Sequence, residues 1–211
     1  DAVRAEGIEC REIATTGVLA KIEGERGNLS RCVVLRADID ALPIEEQNDV
    51  EYRSENQGVM HACGHDMHAA VLFGVLQEFA RNRDFEGTLF GIFQPGEELN
   101  PGGAIKVLEE NPFEGYDVSA VIGEHTDSRL EVGEIGICPG RFMASNAEIR
   151  IYISGKGGHA ARRHEVNDTV TAMADMVMRT TALNTPDGVV SIGRIIADGA
   201  TNVIPDKSSA E

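Results

Sequence analysis

Three short β-branched and apolar runs, separated by segments of helical periodicity, constrain this chain more than any other feature. Arg31 to Arg36 (RCVVLR), Thr88 to Gln94 (TLFGIFQ) and Ser119 to Gly123 (SAVIG) read as buried strands. Between the first two, Val71, Leu72, Val75, Leu76 and Phe79 recur at helical spacing; after the second, Ala104 to Glu110 follows the Gly102-Gly103 pair as a shorter helix. Strands alternating with helices predict an α/β fold built on a parallel sheet.

Near Ser145 the period changes. Ile149, Ile151 and Ile153 alternate with Arg150, Tyr152 and Ser154, the pattern of a half-exposed strand in an antiparallel sheet. A helix marked by Val166, Val170, Met173 and Val177 follows, then a strand over Gly188 to Ile195. A second, α+β domain is therefore expected over 145–211, after a first domain over 1–144. No closing element is expected after the Asn202-Val203-Ile204-Pro205 turn, and the Asp1 start suggests a fragment.

Composition removes several function classes. Lys+Arg 19 against Asp+Glu 35 in 211 residues gives a net charge of −16, which argues against a nucleic-acid partner because phosphate binding needs a basic surface. No apolar stretch reaches the roughly 18 residues of a membrane span, and no signal peptide opens the chain. Cys10, Cys32, Cys63 and Cys138 lie far apart without a CxxC pair, so a soluble protein in a reducing, cytoplasmic setting is expected.

In an α/β sheet, ligands collect beyond the carboxyl ends of the strands. There the sequence places acids and histidines: Asp38 and Asp40 after the first strand, Glu97 and Glu98 after the second, Glu124 and His125 after the third. Before the long helix stands His61-Ala62-Cys63-Gly64-His65-Asp66-Met67-His68. Thiolate, imidazole and carboxylate together are the ligand set of zinc or another borderline divalent ion, and the number of candidates suits two ions. Bound metal brings the pKa of water down to about 7, and of two adjacent carboxylates one can coordinate while the other takes the proton.

Singly, each residue has a plainer reading. A Glu-Glu pair is usually surface, a lone Cys a small buried hydrophobe, and Asp38 or Asp40 could cap a turn before Pro43. The joint occurrence favours a metal, since burying so many ionisable groups without a cation is costly. In the second domain, the glycines of Gly155-Lys156-Gly157-Gly158-His159-Ala160-Ala161 present His159 either in a plain hairpin loop or as an oxyanion-stabilising donor. Asn202 could donate a further hydrogen bond or merely serve its turn.

Taken together, RADIDALP (Arg36 to Pro43), MHACGHDMHAA (Met60 to Ala70), FQPGEE (Phe93 to Glu98), GEH (Gly123 to His125), GKGGHAA (Gly155 to Ala161) and NVIP (Asn202 to Pro205) resemble the M20 metallopeptidase family. Within it they are most similar to the amidohydrolase branch of hippurate hydrolases and N-acyl-amino-acid and indoleacetyl-amino-acid hydrolases. The resemblance implies a zinc-peptidase-like α/β catalytic domain with an inserted α+β lid that mediates dimerisation, and two divalent ions, Zn or Mn. It makes Cys63 the bridging thiolate, His65, Glu98 and His125 further ligands, Glu97 the general base, and Asp40 an acid that orients an imidazole. His159 becomes the lid histidine that reaches the active site, in dimeric relatives that of the neighbouring subunit, and Asn202 a substrate contact.

The implied activity is metal-dependent cleavage of the amide bond of an N-acyl amino acid, or of a short peptide by a dipeptidase or carboxypeptidase variant. The family's last ligand histidine would lie beyond Glu211, the N-terminal helical segment is short or missing, and Glu124 and Arg162-Arg163 depart from the usual pattern. A polypeptide of these residues alone is accordingly expected to hydrolyse little or nothing. Two rivals come from other classes: a thiol enzyme using Cys63 with His65 or His61 as base, and a non-catalytic binding module that keeps the scaffold.

Overall fold

The computed structural model describes all residues, Asp1–Glu211, in two compact units, Asp1–Gly136 and Ile137–Glu211. The first unit runs α1 (Ala2–Ala5), β1 (Glu9–Ile13), β2 (Gly17–Glu23), β3 (Arg31–Asp38), α2 (His65–Arg81), β4 (Thr88–Gln94), α3 (Gly103–Glu109) and β5 (Asp117–Gly123). Its five strands lie in the order β1-β2-β4-β3-β5. β3 is parallel to both β4 and β5, as the alternating pattern predicts, with α2 and α3 as the crossovers.

The period-2 alternation of the strands sorts their side chains into two cores. Leu89 and Phe93 of β4 join Ala20, Ile22, Ala37, Leu72 and Leu76 on one face, while Phe90 and Ile92 join Leu19, Cys32, Val34 and Val107 on the other. Every residue of β4 is buried. Gly91 is there because a Cβ at that position would lie 2.7 Å from a methyl of Leu76, so the glycine lets α2 approach the sheet.

In this unit one feature went unread and two expectations need correction. The antiparallel hairpin of β1 and β2, which extends the sheet beyond β4, has no counterpart in the sequence reading. β5 pairs with β3 but is exposed at all seven residues, because α2 lies over β2, β3 and β4, α3 packs against β4, and neither covers this edge. The buried stripe of α2 is His65, His68, Leu72 and Leu76, whereas Val71 and Phe79 face outward.

The second unit contains β6 (Ile151–Ser154), β7 (Gly158–His159), a 3-10 turn (Ala160–Glu165), α4 (Thr169–Thr181), β8 (Ile195–Ile196), β9 (Val203–Ile204) and β10 (Lys207–Ala210). Contrary to the expected open end, β10 is the middle strand of an antiparallel sheet β6-β10-β8. It was unreadable locally because Lys207, Ser208 and Ser209 carry no apolar pattern; Ser208 is buried by donating to the Thr169 carbonyl at 3.0 Å. The strand expected over Gly188 to Ile195 shrinks to β8 at its end. α4 packs on this sheet through Thr169 and Met173, with Asp168 capping its first turn by accepting the N–H groups of Val170 and Thr171. No helix is long and apolar enough to cross a membrane.

Candidate metal centre

The site of the first unit is assembled at the carboxyl ends of β3, β4 and β5 and at the start of α2. Gly64, at φ +81, turns the chain so that α2 begins at His65 with the imidazole buried. The Nδ1–H of His65 donates to the Asp40 carbonyl oxygen at 2.9 Å, which in the neutral ring puts the lone pair on Nε2. That Nε2 is buried and has no hydrogen-bond partner. It lies 3.8 Å from a Glu98 oxygen and 3.9 Å from a Glu97 oxygen, too far for hydrogen bonds and suitably spaced for a cation between them.

Cys63 and His125 complete the cluster. Cys63 Sγ is 3.5 Å from His125 Nε2, and His125 commits its Nδ1–H to the Thr126 carbonyl oxygen at 2.7 Å, so Nε2 again keeps its lone pair. Ligand atoms of Cys63, His65 and His125 lie within 4.8 Å of one another, as do those of His65, Glu97 and Glu98. His65 belongs to both groups. An unpartnered buried imidazole nitrogen shared by two sets of soft and hard donors fits a pair of borderline divalent ions. In the metal-free protein the Cys63 thiol is pushed up to about 11 by burial, by its hydrogen bond and charge interaction with Glu98, and by the charges of Glu97 and Asp38.

Asp40 reaches two of these groups. Besides its carbonyl bond to His65, its Oδ2 accepts the backbone N–H of Glu98 at 2.9 Å, tying the turn after β4 to the end of β3. That turn is held from the other side by Gly103, whose N–H donates to the Gly96 carbonyl at 2.8 Å. His61 is exposed and belongs to no such group, and Glu124 is exposed beside His125.

The sequence named Asp38 among the strand-end acids and His68 only as a member of its motif. Both are buried, and His68 Nδ1 donates to Asp38 Oδ1 at 2.6 Å. Burial would raise the Asp38 pKa, but the His68 hydrogen bond and the Arg36 guanidinium, with the His65 and His68 rings beside them, outweigh it and hold the carboxyl low. The helical spacing of His65, His68, Leu72 and Leu76 was the available signal: an imidazole on a core-facing stripe must have a polar partner.

In the second unit, β7 pairs with β9 so that His159 lies opposite Val203, and the Asn202 carbonyl accepts the Ala160 N–H at 2.9 Å. His159 and Asn202 are thus neighbours. His159 Nδ1 accepts the Ala161 N–H at 3.1 Å, which leaves the ring proton on Nε2, exposed and able to donate.

Strand-end chemistry beside the parallel strands, with a buried open imidazole among thiol and carboxylates, defines an α/β protein with a candidate divalent-metal site. The chain belongs to peptidase family M20/M25/M40, whose sequence profile matches residues 34–201. It is 40% identical over 205 residues to an N-acyl-L-amino acid amidohydrolase of Geobacillus stearothermophilus, covering 94% of this chain and 54% of that protein. It is 37% identical over 212 residues to an N-acetyl-L-cysteine deacetylase of Bacillus subtilis, covering 97% and 50%. Among solved structures, the YXEP protein of Bacillus subtilis, described as a dinuclear metal-binding peptidase from the M20 family, superposes with a TM-score of 0.71 at 36% identity, over 99% of this chain and 54% of that one. The chain spans about half the length of the relatives it matches.

Proposed function

We propose that the protein is a metal-dependent amidohydrolase that removes the acyl group from an N-acyl amino acid. The buried, unpartnered Nε2 of His65, facing Glu97, Glu98 and the Cys63–His125 pair, carries this reading. We assign Cys63, His65, Glu98 and His125 to holding two ions, Zn or Mn, with residues 1–144 as the catalytic part and 145–211 as a lid through which two cytoplasmic copies pair. Bound there, the ions supply Lewis acidity and a water of lowered pKa.

The remaining chemistry belongs to side chains. Glu97, the more exposed of the two glutamates, takes a proton from the attacking water and returns it to the departing amine. His159 Nε2–H donates to the carbonyl oxygen as charge develops on it, and Asn202 orients the substrate. A Cys63 nucleophile is disfavoured, since burial and the nearby carboxylates Glu98, Glu97 and Asp38 oppose a free thiolate there, while a bound cation would offset them and favour the ligand role.

The test is metal stoichiometry by elemental analysis of the intact enzyme, with hydrolysis of a panel of N-acyl amino acids before and after chelation. Two bound ions and chelator-sensitive turnover are expected, and Glu97→Ala should abolish turnover while keeping the metal. Turnover that survives chelation, or metal lost together with activity in Glu97→Ala, overturns the assignment.

A further inference from the structure

Three groups of the first unit have metal-ligand spacing, and the third, Asp38, His65 and His68, differs from the other two. Its members other than His65 are already satisfied. Asp38 Oδ1 accepts from His68 Nδ1 at 2.6 Å and Oδ2 accepts from Arg36 Nη1 at 2.7 Å, while Arg36 Nε donates to Gln94 Oε1 at 2.9 Å. The opposite ring nitrogen, His68 Nε2, accepts the backbone N–H of Thr126 at 2.9 Å. A backbone amide can only donate, so Nε2 bears the lone pair, Nδ1 bears the proton, and the tautomer is fixed at both ends. A cation here would have to displace both donors beside a guanidinium.

We propose that Asp38 and His68 are a positioning pair which, through Thr126, sets the His125 imidazole against Cys63, a role that presupposes the metal-holding reading of Cys63, His65 and His125. Thr126 is the keystone because it is fixed in three ways. Its N–H donates to His68 Nε2 at 2.9 Å; its Oγ1 lies 3.3 Å from the same nitrogen and packs over Gly64, where an added Cβ would come within 2.6 Å of it; its carbonyl accepts His125 Nδ1–H at 2.7 Å. The order is therefore Gln94, Arg36, Asp38, His68, Thr126, His125, a continuous series of hydrogen bonds from the interior of the sheet to a ligand on an exposed loop. The rings of His68 and His125 also meet edge to face, with centroids 4.8 Å apart. Outer hydrogen bonds of this kind typically contribute 10–100-fold to metal affinity.

The experiment is titration of the metal-free chain with Co²⁺, followed by calorimetry and visible absorption, for the wild type, His68→Phe and His68→Gln. His68→Phe is expected to bind the same number of ions about 10–100-fold more weakly, with an altered Co²⁺ spectrum. His68→Gln, whose amide can donate to Asp38 and accept from Thr126, is expected to recover most of the affinity and the wild-type spectrum. Unchanged affinity and spectrum in His68→Phe overturn the proposal, as does loss of one whole equivalent of cobalt in both variants, which would make His68 a ligand. A wild-type chain that takes up no cobalt fails at an earlier step and overturns the metal reading itself.

Should His68→Phe not fold, ¹⁵N imidazole spectra of the wild type decide. His68 is expected as the Nδ1–H tautomer with and without Zn²⁺, while His125 Nε2 moves on addition of the ion. Movement of His68 Nε2 to a metal-bound position overturns the proposal.

Discussion

The main-chain oxygen of Asp40 accepts the Nδ1–H of His65 at 2.9 Å, and this bond decides what the imidazole can do. With its proton committed there, His65 presents a lone pair toward Glu97 and Glu98. Because the acceptor is backbone, no substitution at position 40 deletes it. The Asp40 side chain adds to it: Oδ2 accepts the Glu98 N–H at 2.9 Å, and Oδ1 lies 3.3 Å from the same His65 Nδ1.

Asp40→Ala should therefore loosen Glu98 without releasing His65. We expect Zn²⁺ affinity to fall by about tenfold, at the lower end of the effect of outer hydrogen bonds. Asp40→Asn keeps an acceptor for the Glu98 amide and should stay within about threefold of wild type. Equal losses in the two variants, measured by competition with a chromophoric chelator, would show that the charge of Asp40 matters and its hydrogen bond does not.

Gly103→Ala sets two effects against each other. Helix propensity favours alanine at the start of α3 by about 1 kcal/mol, but the new Cβ would lie 1.6 Å from the Pro95 carbonyl oxygen. Backbone must move, and overpacking of this kind costs about 1–3 kcal/mol or more. We expect a lower urea midpoint together with weaker Zn²⁺ binding, because Pro95 leads into Glu97 and Glu98. A variant as stable as wild type would mean that the turn after β4 gives way freely.

Asp168 caps α4, and its pKa is held below the ordinary carboxylate value by the backbone and hydroxyl hydrogen bonds of Thr171, which outweigh the opposing effect of burial, with Arg163 and the Val170 N–H adding to them. A carboxyl depressed by folding stabilises fully above its unfolded pKa of about 3.9, and the contribution is lost as pH falls through the folded value. Asp168→Ala should cost about 1 kcal/mol at pH 7. The gap between the two proteins should narrow in thermal melts below about pH 4. A gap that widens on acidification would have the wrong sign for this cap.

Zn²⁺ binding should be visible in amide hydrogen exchange. At 100 times the dissociation constant a ligand stabilises by about 2.7 kcal/mol, slowing globally exchanging amides roughly 100-fold. Slowing is expected around residues 63–68, 97–98 and 123–126. Slowing confined to 156–161 would move the ion to the second unit.

How much of this was legible depended on the range over which each feature is encoded. The parallel strands, both crossover helices and the carboxylates and histidines at the strand ends are local patterns, and they were readable. The Asp38–His68 contact joins residues 30 apart, and the Thr126 contact joins residues 58 apart, so both depend on the register of β3 with β5 and the angle of α2. β10 is encoded least of all: Lys207-Ser208-Ser209-Ala210 is a strand only because β6 and β8 flank it. The reverse error occurred at β5, whose apolar residues describe a buried strand although no element in this chain covers them.

The close approach of Leu76 to Gly91 has an evolutionary consequence. The stripe of α2 that ends at Leu76 begins with His65 and His68, so any drift of the helix from the sheet would be carried toward the site. Across divergent relatives, positions 76 and 91 should therefore not vary independently. Lineages that acquire a side chain at 91 should carry a smaller residue at 76, and lineages that keep the leucine should keep the glycine.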